Sequence, residues 1–112
     1  MNRNKALEWI GTHRVGVSSR TMWCALMGIK APCDPHEGDF DVPHDADDLS
    51  RCVDLVRFAE VTEDELRRIP DTFPCYKPII DIWGDLVSAY DNRDYHHVYE
   101  MLSNARKEAR DE

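Results

Sequence analysis

Asp45-Ala46-Asp47-Asp48-Leu49-Ser50-Arg51-Cys52-Val53-Asp54-Leu55-Val56-Arg57-Phe58-Ala59 decides the fold class. Leu49, Cys52, Val53, Val56 and Ala59 recur at the three- and four-residue spacing that puts them on one face of a helix. Asp45 or Asp47 starts that helix, and acids at its N-terminus favour the positive end of the helix dipole. No residue in the stretch breaks a helix, and nothing alternates as a strand must.

The same pattern recurs to either side. Thr62-Glu63-Asp64-Glu65 has the form of a capping box, opening a short helix that carries Leu66 and Ile69 and stops at Pro70. Residues 72–78 form a lead-in to a helix with Ile79, Ile80, Trp83, Leu86, Val87 and Tyr90 on one face. Asp94 caps a last helix carrying Tyr95, Val98, Leu102 and Ala105, which frays into the charged tail Arg106–Glu112. Toward the N-terminus, a helix over Asn4–Ile10 uses Ala6, Leu7, Trp9 and Ile10, with Asn2 or Asn4 as cap. Ser18 or Ser19 caps a second helix with Met22, Ala25, Leu26 and Ile29 as its stripe, closed by Gly28. The expectation is an all-α fold: residues 1–112 as one compact domain of about five to six short helices.

Residues 30–44 interrupt this series. Pro32, Pro35, Pro43 and Gly38 exclude a regular helix. Seven acids and no Lys or Arg lie between Asp34 and Asp48. Asp34, Glu37, Asp39, Asp41, Asp45 and Asp48 are therefore the candidate partner-binding residues, since acids on a loop can occupy a basic groove. The formal net charge of −8 disfavours nucleic acid as a partner, because that affinity comes mainly from Lys and Arg displacing counterions.

Three other chemistries bear on the function. Cys33, His36, His44 and Cys52 offer two thiols and two imidazoles to zinc, in a spacing of no common zinc module. No nucleophile–base set, phosphate-cradling glycine loop or H-E-x-x-H pattern is present, so the expectation is a protein that is not an enzyme and needs no cofactor. Adjacent His96 and His97 point roughly 100° apart on a helix and share a ligand poorly. No apolar run follows Met1–Lys5, and none reaches the ~18–20 residues of a membrane span. With no export signal, the four widely spaced cysteines, none in a Cys-x-x-Cys pair, are expected to be free thiols and the location cytoplasmic.

From Gly16 to Gly28 the sequence resembles the turn and recognition helix of lactose-repressor-type helix-turn-helix proteins, with Gly16, Ser18, Thr21, Leu26 and Gly28 at matching positions. That resemblance implies DNA contacts from Arg14, Ser19, Arg20 and Thr21. Trp23 and Cys24 depart from it by occupying positions that should be polar or basic to read base edges.

Across most of its length the chain also resembles a family of small proteins encoded by bacteriophages and prophages. The residues carrying this are Ala6-Leu7-Glu8-Trp9, Gly16 through Trp23 closing at Gly28, Pro43 through Cys52 with Asp54-Leu55-Val56, Ile82-Trp83, and Tyr99-Glu100-Met101-Leu102. The resemblance implies an accessory protein inside an infected or lysogenic bacterium and transfers no role to any residue. Together with the acidity, it leads to the expectation of a non-enzymatic protein that binds a host or phage protein, in one version as an inhibitor of a host defence complex. The alternative is a small DNA-binding regulator using residues 16–28.

Overall fold

The computed structural model describes residues 1–13, 16–29 and 42–111, with the backbone alone at 109–111. The described residues form seven α-helices and one 3-10 turn, with no strand. In order these are α1 (Arg3–Thr12), α2 (Val17–Met27), α3 (Ala46–Phe58), α4 (Glu63–Thr72), the 3-10 turn Pro74–Tyr76, α5 (Lys77–Asp81), α6 (Trp83–Asp91) and α7 (Tyr95–Asp111). The radius of gyration, 12.9 Å, is close to the ~13 Å of a compact domain of this length. The all-α expectation holds.

Local chemistry explains most boundaries. Asn2 caps α1, its side chain accepting from the Lys5 N–H. Asp45 caps α3 by accepting from the Asp48 N–H at 2.9 Å. Thr62 and Glu65 make the reciprocal bonds of a capping box at the head of α4. Asp94 accepts from the His97 N–H at the head of α7. Gly28 closes α2 at φ +73°, a left-handed backbone that glycine adopts without a Cβ clash.

Several expectations are corrected. Helix α2 starts at Val17 with Gly16 as cap, so Ser18 and Ser19 lie inside its first turn rather than ahead of it. The Ser19 hydroxyl still serves that end, accepting from the Gly16 N–H at 3.1 Å. Pro70 does not stop α4, which runs on to Thr72. A proline loses the bond its own nitrogen would donate and crowds the carbonyl four residues back, but later donors are untouched, and the Phe73 N–H still reaches the Ile69 carbonyl at 2.9 Å. Buried Ile69 and Phe73 anchor that last turn. The single helix expected over residues 79–90 is two, α5 and α6, broken at Ile82 (φ −111°, ψ 15°). The last helix does not fray at Arg106 but continues to Asp111.

The core gathers Trp9, Met22, Leu49, Val53, Leu55, Ile69, Phe73, Tyr76, Ile79, Leu86, Val98 and Leu102, all essentially fully buried. Helix α3 packs against α1, α2, α6 and α7 and is the central strut. That is why Leu55, outside its expected stripe, is buried as well. Ile29, Leu7 and Tyr95, expected in the core, are each close to half exposed.

Candidate functional site

The described part of the acidic segment centres on the head of α3. Asp45 and Asp47 are exposed and Asp48 is half-buried. One carboxylate oxygen of each lies within 4.8 Å of the others. All three are already engaged by the chain itself. Asp45 caps the helix, and Asp48 accepts from the His44 N–H through Oδ2 at 3.2 Å. Arg51 reaches Asp47 Oδ2 at 3.0 Å and Asp48 Oδ1 at 3.5 Å. These contacts hold the acids in place, and one guanidinium leaves the trio net negative.

Two further helices fix this corner. Arg106 of α7 donates from Nη1 to the His44 carbonyl at 3.1 Å, tying the end of the acidic segment to the last helix. Arg51 also lies over the head of α2. A Cβ built on Gly16 would stand 3.0 Å from Arg51 Nη1, so glycine there makes room for the guanidinium. A shallow hollow of about 290 Å³, lined by Val17, Ser18, His44 and Asp48, separates the two helix heads. Asp34, Glu37, Asp39 and Asp41, the other candidate partner-binding residues, lie outside the described residues.

The helix-turn-helix reading meets a different geometry. Ser19 is 0% and Thr21 7% exposed, their hydroxyls donating to the Gly16 and Val17 carbonyls. This corrects the reading of both as surface contacts. Arg20 is exposed, and Arg14 lies outside the described residues. Helix α2 packs on α1, α3 and α4, with Met22 and Cys24 buried.

The zinc reading loses its helical thiol. Cys52 is fully buried beneath α2, and desolvation, its largest influence, pushes the thiol up to about 12 against weaker hydrogen bonding from Ser18 and Tyr76. It serves instead in a buried polar joint: the Tyr76 hydroxyl donates to the Ser18 carbonyl at 2.7 Å while Ser18 bonds the Cys52 sulfur. Cys33 and His36 lie outside the described residues. Among those described, Cys24, Cys52 and Cys75 are free thiols.

Two features escaped the sequence reading. One is a groove of about 560 Å³ between α4, α5 and α6, floored by Leu66, Ile80, Trp83 and Gly84. Its rim carries two i,i+4 ion pairs, Arg67–Glu63 and Lys77–Asp81. The other is the exposure of Tyr95 and Tyr99 on α7, 50% and 53%. Their four-residue spacing was a signal, but Tyr95 is equally in phase with the buried Val98 and Leu102.

In comparisons with known proteins, the chain matches no family model, and neither a curated protein sequence nor a solved structure is significantly similar to it. Among the described residues, no helix is long and apolar enough to cross a membrane.

Proposed function

We propose that this chain is a phage or prophage accessory protein that acts without catalysis, by binding another protein. In its concrete form, the acidic end of the molecule occupies the basic nucleic-acid groove of a host defence complex. The observation that supports this is the convergence of Asp45, Asp47 and Asp48 within 4.8 Å, at the end of a segment carrying four more acids and no base. Like charges held together by caps and an arginine keep their field aimed outward, and such a field steers encounter with a basic surface.

The test is affinity capture from bacterial lysate, with the wild-type chain beside a variant carrying Asp39→Asn, Asp41→Asn, Asp45→Asn and Asp48→Asn. A nucleic-acid-binding protein retained by the wild type, lost with the variant and displaced by competing duplex DNA is the expected result. Recovery of no partner, or equal retention by both forms, overturns the proposal. A mobility-shift assay at low salt separates it from the regulator alternative, because the acidic chain is expected not to shift duplex DNA.

A further inference from the structure

Helices α6 and α7 meet at an elbow over residues 92–94 and flank a hollow of about 460 Å³, separate from the acidic corner. Asp85, Ser88 and Asn92 line it from one face of α6, at intervals of three and four residues. Asp94, His97 and Met101 line it from the other side at the same intervals. Asp85 to Asn92, and Asp94 to Met101, each cover about 10 Å along a helix at its 1.5 Å rise per residue. The hollow therefore runs lengthwise between the two helices, with Asp94 at the elbow and Asp85 about two turns away. Buried Ala89 and half-buried Met101 supply its apolar lining.

We propose that this hollow binds an aliphatic diamine, with one ammonium at Asp94 and the other at Asp85. Charge is the first argument. Two carboxylates line the hollow and no Lys or Arg does. The chain's own bases neutralise acids elsewhere: Arg67 and Lys77 pair with Glu63 and Asp81, and Arg51 serves Asp47 and Asp48. The second argument is unused hydrogen-bonding capacity. The side chains of Asp85, Ser88, Asn92 and His97 make no hydrogen bond or ion pair among the described residues. Asp94 spends Oδ1 alone, on the His97 N–H at 3.3 Å. The third argument is spread. Asp45, Asp47 and Asp48 are the only acids or histidines among the described residues whose ligand atoms gather three together within 4.8 Å, so Asp85, Asp94 and His97 do not converge on a bare ion. An extended cation matches that layout, its methylenes against Ala89 and Met101 and its ammonium donors on the carboxylates and nearby oxygens. This inference shares no residue with the protein-binding reading and does not depend on it.

The experiment is titration of the isotope-labelled full-length chain at low salt, followed by amide chemical shifts, with three amines. Cadaverine has two ammonium groups across five methylenes, diaminopropane has two across three, and pentylamine has one. Cadaverine is expected to give saturable shifts centred on residues 85–101, and to bind about fivefold more tightly than pentylamine. Diaminopropane, too short to reach both acids, falls near pentylamine. Asp85→Asn lowers cadaverine affinity about fivefold, to the level of the monoamine. Asp94→Asn does the same while keeping a residue that caps α7 equally well, so helical circular dichroism is retained. Glu63→Gln with Asp81→Asn removes as much charge as the Asp85→Asn, Asp94→Asn pair, yet leaves cadaverine affinity within about twofold of wild type. Equal affinities for all three amines, or equal losses in the two double variants, would reduce the effect to general attraction and overturn the proposal. Shifts centred on residues 45–48, or magnesium moving the same amides as tightly as cadaverine, overturn it too.

Discussion

Helix α3 has two polar sides that behave in opposite ways. On its inward side, Cys52 meets Ser18 and Tyr76 in a buried joint whose polar groups bond one another. On its outward side, Asp54 and Arg57 are exposed; Arg57 pairs with Asp91, and Asp54 makes no ion pair among the described residues. Buried polar groups must be satisfied internally or they cost stability, so the inner joint serves architecture. Exposed charge costs little to leave unpaired and stays available to a partner. The difference separates residues that define this fold from residues that can act.

The comparison is tested by how unequally the two sides respond to change. The largest effect belongs to Leu55→Ala, which opens a cavity on the inner side and is expected to lower unfolding free energy by about 2–5 kcal/mol in urea titration. Tyr76→Phe removes the hydroxyl from the Ser18 carbonyl and costs about 1–3 kcal/mol by the same measurement. The intact joint also shields its thiol: in the folded protein Cys52 is expected to resist a thiol reagent that labels it after denaturation.

Two smaller effects lie at the helix ends and on the outer side. Glu65 is pulled upward by burial, but hydrogen bonds from the Met1 ammonium and Thr62 outweigh this and hold its carboxyl below the ordinary 4.5. A lowered folded-state value means the contribution is present above the unfolded value and lost as pH falls through the folded one. Glu65→Gln is therefore expected to cost about 1 kcal/mol at pH 7, with wild type and variant converging in melting temperature as pH drops below about 4. On the outer side, Tyr99→Ala is expected to change stability by no more than about 0.5 kcal/mol. A loss of 2 kcal/mol or more there would place Tyr99 in the scaffold and erase the contrast between the two sides.

Much of the scaffold was legible residue by residue. Asp45, Thr62 with Glu65, Asp94 and Gly28 each mark a helix end through chemistry confined to a few neighbouring residues. Leu49, Cys52 and Val53 mark the buried side of α3 through spacing alone. The break at Ile82 was hidden because a one-residue interruption barely disturbs the apolar period running from Ile79 to Tyr90. Pro70 marks no helix end because the burial of Ile69 and Phe73 outweighs a proline's local cost. Of the candidate site, the acids at the head of α3 could be read from composition, whereas the tie of Arg106 to the His44 carbonyl joins residues 62 positions apart and leaves no local pattern.

By itself the sequence determined that this chain is helical, where most of its helices begin, and that its exterior is negative, because caps, periodicity and charge are properties of a few adjacent residues. Only the tertiary structure decided how wide each buried stripe is. Helix α3 draws Leu55 inside, while α7, which also packs on several neighbours, leaves Tyr95 and Tyr99 half exposed. The physical reason is that helical spacing names a direction, and only the neighbouring helices determine how much of the circumference around it is shut off from solvent.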